Sequence, residues 1–283
     1  MLNFPIVDAH VHLWDFQQFN YLWLNNHPPL QRSFFLPDFQ AACDPVIVDT
    51  MVFLECDIHP SQRIDEAKWV ASLASENPSI QGIVASCALE KGQEIRPNLE
   101  ELSVIPQVKG IRRLIQQEDL EFCLQPNFIQ GLQLLPEFGF SFDICIYHRH
   151  LENIIKMVQQ CPEVSFMLDH VGKPNIKDQL FEPWKLQIQE LAAFPNVYCK
   201  ISGMVTEADH QNWTEEQLKP YIDWAIACFD WDRVVYGGDW PVSKLATEYP
   251  RWVEVLESAV QGCTPEQKRK LFRENALDFY RLH

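Results

Sequence analysis

Apolar residues in this chain fall into two alternating kinds of segment. Short runs dense in Val, Ile, Phe and Leu cover residues 4–9, 46–55, 80–87, 108–112, 140–147, 164–169, 197–202 and 234–237. Between most of them, apolar positions recur at three- and four-residue spacing, over residues 63–75, 128–138, 151–160, 184–194 and 215–229. The first kind predicts β-strands and the second predicts helices with one buried face. Strands alternating with helices imply parallel pairing through right-handed crossovers. Thr264-Pro265-Glu266-Gln267 marks a helix start, with an N-cap, a proline in the first turn and a capping-box partner; Thr214 with Gln217 repeats the device.

Eight such units with no Gly/Ser-rich linker between them predict an α/β protein, a single (β/α)8 barrel of the TIM type over residues 1–283. The competing doubly wound sheet calls for a Gly-rich loop after the first strand. That place holds His10-Val11-His12 instead.

Composition narrows the partners. Lys and Arg total 23 against 39 Asp and Glu, a formal net charge of −16. Such a field repels nucleic acid and anionic membrane surfaces, so neither is expected as a partner. A small anionic substrate remains compatible, because a few local arginines can reverse the sign inside a pocket. No basic segment followed by an apolar stretch opens the chain, and no apolar run approaches membrane-spanning length, so a cytoplasmic protein is expected. The nine cysteines form no C-x-x-C pair, and several sit in apolar β-like runs, where a reduced thiol packs as a small hydrophobe.

Chemistry in such a barrel sits at the C-terminal ends of the strands. Strand 1 ends in His10 and His12, whose alternation puts both imidazoles on one side. Strand 4 ends in Arg112 and Arg113, strand 5 in Tyr147 and His148, strand 6 in His170 and strand 8 in Asp239. Four histidines and an aspartate on one rim point to a reaction centre. Neutral imidazoles can ligate a divalent metal or polarise a carbonyl, and a carboxylate can ligate or take a proton from water. Plainer readings stand beside these. His148 lies in the polar run Tyr147-His148-Arg149-His150, which solvent can satisfy. Of the two arginines only one can face the barrel axis, and Arg112 is the expected one; Arg113 then meets the helix layer, where an ion pair is expected. Asp169, next to His170, points away by alternation and reads as structural. Two glycines before Asp239 let the backbone approach a ligand closely. Trp14 and Trp240 are placed either to stack on a sugar face or to pack against the rim.

At these residues the chain resembles the amidohydrolase superfamily, specifically its amidohydrolase-2 branch of sugar-acid lactonases. The segments carrying the resemblance are VDAHVHLWD, VKGIRRLIQ, FSFDICIYHRHL, FMLDHVGKP, VYCKISGM and VVYGGDWPV, in that order over nearly the whole chain. The resemblance implies a hydrolase of small sugar-acid lactones, with His10, His12, His170 and Asp239 at its centre as metal ligands and Asp239 as general base. Arg112 would hold a substrate carboxylate or hydroxyl; His148, by its place at the end of strand 5, is a further catalytic candidate that could touch substrate or metal. Strand 4 lacks the lysine that bridges two metals in binuclear relatives. One divalent ion, zinc by preference, or none is therefore expected. Metal-dependent decarboxylases of aromatic or muconate-type acids in the same branch are the alternative reading. A homo-oligomer is compatible with either.

Overall fold

The computed structural model describes residues 2–282. Eight strands follow one another around a parallel sheet: β1 (Ile6–Val11), β2 (Val48–Leu54), β3 (Ile80–Ser86), β4 (Val108–Arg112), β5 (Ser141–Ile144), β6 (Phe166–Leu168), β7 (Val197–Ile201) and β8 (Val234–Tyr236). Each pairs in parallel with the next. The sheet closes just beyond β8, where Val11 bridges Trp240, the His12 amide donates to the Trp240 carbonyl at 2.8 Å, and the Asp239 amide donates to the His10 carbonyl at 2.8 Å. The expected (β/α)8 barrel is therefore the observed fold, and its seam joins the two segments richest in candidate chemistry.

Around the barrel run α1 (Leu36–Cys43), α2 (Arg63–Glu76), α3 (Arg96–Ser103), α4 (Pro126–Leu134), α5 (Leu151–Gln159), α6 (Trp184–Ala192), α7 (Glu215–Phe229) and α8 (Tyr249–Ala259). Periodicity alone does not single out α1, α3 and α8. Each carries a proline in its first turn, Pro37, Pro97 and Pro250, where the missing N–H costs nothing. The cap at Thr264 forms as expected: its hydroxyl accepts from the Gln267 amide at 3.2 Å, and the Gln267 side chain accepts from the Thr264 amide at 2.8 Å. This start leads through α9 (Pro265–Arg269) and a π turn into α10 (Asn275–Tyr280).

Strand residues are buried on both faces, as parallel strands under a helix layer must be. Val7, Ala9, Val52, Leu54, Val84, Met167 and Val235 form one cluster with Ala276, Phe279 and Tyr280, so α10 packs against the barrel filling. The nine cysteines are free thiols and seven are buried. Among the described residues, no helix is long and apolar enough to cross a membrane.

Candidate active site

Simple alternation would place Asp8, His10 and His12 on one side of β1. The pairing register with β2 slips between Asp8 and Val11, giving β1 one extra residue there. As a result Asp8 faces the helix layer, accepting from the His10 amide at 2.9 Å, the Gly238 amide at 2.8 Å and the Tyr249 hydroxyl of α8 at 2.8 Å. The rings of His10 and His12 converge, with their Nε2 atoms 3.2 Å apart. Asp8 thus ties β1 to the Gly-Gly turn after β8, and burial pushes its carboxyl up to about 7.

After β6 the chain enters a left-handed turn, with φ of 55° at His170, 53° at Val171, 72° at Gly172 and 48° at Lys173. Asp169 does not point away as expected: it alternates with Met167 of the barrel filling and so faces inward. Adjacent residues of a strand diverge, and it is the left-handed turn that brings His170 back to the barrel centre beside it. Asp169 Oδ1 lies 3.4 Å from His10 Nδ1, and the His10 and His170 ring centroids are 4.4 Å apart.

Asp239 also has a left-handed backbone, φ 54°, a conformation aspartate tolerates better than most residues. Its Oδ1 lies 3.5 Å from His12 Nε2 and 3.6 Å from His10 Nε2. One ligand atom from each of His10, His170 and Asp239 lies within 4.8 Å of the others. Gly203 completes the enclosure: a Cβ there would fall against His170 and 2.7 Å from Asp239 Oδ2. Gly237 allows β8 to approach His10 itself, since a Cβ would sit 2.7 Å from His10 Cβ.

His12 Nδ1 donates to the Leu54 carbonyl at 2.8 Å, so the neutral form of the ring has its lone pair on Nε2, facing His10 and Asp239. Burial lowers the pKa of His10 well below its usual value and that of His170 to about 4, so both rings are neutral at pH 7. Burial opposes ionisation of Asp239, but the positive charge that the neighbouring rings, His170 foremost, take on as pH falls outweighs it and holds the carboxyl below the ordinary range.

Beneath the histidines lies a network of buried charges. Arg112 points into the barrel, 4% exposed, and donates to Glu55 Oε1 at 2.7 Å, the Glu55 carbonyl at 2.5 Å and Asp169 Oδ2 at 3.1 Å. Lys200 of β7 donates to Asp143 and Asp169, both at 2.8 Å, and lies 3.4 Å from His10 Nδ1. Tyr280 of α10 donates to Asp143 at 2.5 Å. Asp143 and Lys200 escape a reading that asks only how each strand ends, and Glu55, which closes the second run, is not singled out by it. Their signal is a charge inside or closing an apolar β run, where an unpaired one would be costly. Arg113 faces the helix layer, paired with Glu90 at 3.1 Å and Glu118 at 2.6 Å.

The structure does not bring His148 to the His10, His170 and Asp239 group. Its ring Nδ1 donates to the Lys173 carbonyl at 3.0 Å. Trp14 and Trp240 are buried and pack edge-on against Phe34, with centroids at 5.1 and 5.4 Å, so neither offers a face to a sugar.

The sequence profile of the amidohydrolase family matches residues 7–282. An L-fucono-1,5-lactonase of Burkholderia ambifaria is 26% identical over 283 residues, covering 98% of this chain and 95% of its own. An L-rhamnono-gamma-lactonase of Scheffersomyces stipitis is 21% identical over the full length of both chains. A crystal structure of an amidohydrolase from Burkholderia multivorans with bound zinc superposes with a TM-score of 0.90 at 22% identity, over 99% of this chain and 100% of that one.

Proposed function

The chain belongs to the amidohydrolase family and is a hydrolytic enzyme, and from that premise we propose that it opens a small sugar-acid lactone to the free hydroxy acid. The observation that carries this reading is the convergence of three imidazoles and one carboxylate, His10, His12, His170 and Asp239, at the barrel seam. Lactonases among the similar chains support it.

The same four residues fit one divalent cation. The Nε2 atoms of His10 and His12, 3.2 Å apart, need a proton or a cation between them. With His12 Nδ1 donating to the Leu54 carbonyl, that is either a proton on His10 Nε2 or a cation. Three imidazoles and a carboxylate make a donor set suited to zinc. Zinc held there would draw electron density from the substrate carbonyl and acidify nearby water. Lys200, 3.4 Å from His10, is held as an ammonium by two aspartates and so is not available to bridge a second metal.

Asp239 is the general base in this scheme. Its Oδ1 faces the histidines, while Oδ2 is turned towards the space that Gly203 keeps clear. A water there gives a proton to the carboxylate as its oxygen bonds to the lactone carbonyl carbon. The charge developing on the carbonyl oxygen needs an N–H donor, which His10 or His170 can supply from a protonated ring nitrogen and the Nε2 lone pair of His12 cannot. The ring C–O bond then breaks, and the proton passes from Asp239 to the departing alkoxide. A carboxylate held below its ordinary pKa is a weak base, adequate for an activated cyclic ester and poor for an amide. Arg112, its guanidinium engaged by Glu55 and Asp169, positions His10 in this scheme instead of holding a substrate carboxylate.

The test is a panel of aldonolactones followed with a pH indicator. Release of one proton per lactone consumed is expected. Acid release from none of them, or carbon dioxide release from an aromatic acid instead, would reject lactone hydrolysis.

A further inference from the structure

We propose that Lys173 and Glu207, backed by Gln116, read the hydroxyl groups of the lactone and so determine which lactones this site accepts; this inference rests on the lactone reading above. The left-handed turn after β6 is its starting point. Three of the four residues in that turn are not glycine, and each such residue carries a steric cost. The turn persists because its carbonyls are held from several sides. The Lys173 amide donates to the His170 carbonyl at 2.8 Å, Trp184 Nε1 donates to the Val171 carbonyl at 2.8 Å, and His148 holds the Lys173 carbonyl. Orienting His170 alone needs only the first step of this turn. Its remainder sets the Lys173 side chain between Gln116 and Glu207.

The Lys173 side chain is 15% exposed and that of Glu207 18%, against 5% for Asp239, as expected of groups at an entrance. The ammonium donates to Gln116 Oε1 at 2.6 Å and lies 5.4 Å from the centre of the Tyr147 ring. Glu207 closes the turn Met204–Glu207, which starts from Gly203 beside His170 and Asp239. Burial works against the Lys173 ammonium, but Cys145, Glu207 and Asp239 outweigh it and raise its pKa. Burial raises that of Glu207, with Asp239 adding to it. Both side chains therefore lie within electrostatic reach of the base.

The spacing of the pair decides what it can recognise. Lys173 Nζ and Glu207 Oε1 are 4.0 Å apart, too far for a hydrogen bond, and among the described residues the Glu207 carboxylate accepts none. A hydroxyl meets both needs at once, accepting from the ammonium and donating to the carboxylate. A carboxylate ligand does not, because Glu207 repels it. Arg112, Lys200 and Arg113 are each closed by carboxylates at 3.1 Å or less. These cations are thus already balanced, and the rim suits a neutral polyhydroxy lactone.

Lys173→Met and Glu207→Gln test this with three probes: an aldono-1,5-lactone, δ-valerolactone, which has the ring but no hydroxyls, and a lactone bearing a free carboxylate. Each variant is expected to lower kcat/KM for the aldonolactone by about thirtyfold or more, the range of a charged hydrogen bond. The loss with δ-valerolactone should be at least about tenfold smaller, which also reports that the variant folds. Glu207→Gln unmasks Lys173 and is expected to raise the relative kcat/KM for the carboxylate-bearing lactone. Equal losses on aldonolactone and δ-valerolactone would overturn the proposal, as would a wild-type preference for the carboxylate-bearing probe. Wild-type inactivity on all three would instead reject lactone hydrolysis itself, and this inference with it.

Discussion

Lys200→Met removes the ammonium that two aspartates share in the barrel interior. Lys200, Asp143 and Asp169 are fully buried, and both contacts are 2.8 Å. Methionine fills similar volume, so the packing loss is small and the electrostatic loss dominates. Asp169 keeps Arg112 at 3.1 Å, while Asp143 is left with the Tyr280 hydroxyl. Breaking a buried pair from one side typically costs about 3–5 kcal/mol, because the remaining charge is uncompensated. Urea or guanidinium unfolding with an unchanged slope should show a loss of that order. The pH dependence supplies a second check. Burial raises the folded-state pKa of Asp143 above its ordinary value even with Lys200 present. A raised carboxyl contributes stability at low pH that is lost as pH rises through the folded-state pKa. Without the ammonium that pKa climbs further, so the variant's deficit should be smaller at pH 5 than at pH 8. Asp143→Asn added to Lys200→Met should recover part of the loss, a coupling that a double-mutant cycle measures. A deficit under about 1 kcal/mol, or one equal at both pH values, would show that the network does not carry the energy assigned to it.

Asp239→Asn should keep the fold and lower kcat by at least about a hundredfold, in the range of a general base; a folded variant with more than a tenth of wild-type kcat would remove Asp239 from that role. Elemental analysis should find at most one divalent ion per chain. Two would overturn the single-metal assignment, and none with full activity in chelator would assign carbonyl polarisation to the histidines alone. Arg112→Met, which strands buried Glu55 and Asp169, should cost roughly 3–5 kcal/mol of stability. Arg113→Met, at a partly exposed pair, should cost about 1 kcal/mol or less. Denaturant midpoints of the two variants decide whether Arg112 carries the buried network, and the reverse order would refute it.

The alternation of apolar runs with helical periodicity determined the barrel, since eight parallel strands under helices have few other ways to bury both faces. Barrel topology then makes the strand ends a list of candidates, and His10, His12, His170 and Asp239 are legible on that list. What alternation cannot show is where the backbone abandons it. The extra residue in β1 separates Asp8 from the histidines, and the left-handed turn after β6 swings His170 inward beside Asp169. Both depend on what surrounds them: Gly238 and Tyr249 for Asp8, Trp184 and His148 for the turn. The charge network was equally out of reach, because Arg112 meets Glu55 and Asp169 each across 57 positions of sequence. A charged residue in an apolar strand announces that it needs a partner. Only closure of the barrel decides which one it finds, because partners distant in sequence become neighbours through the strand order.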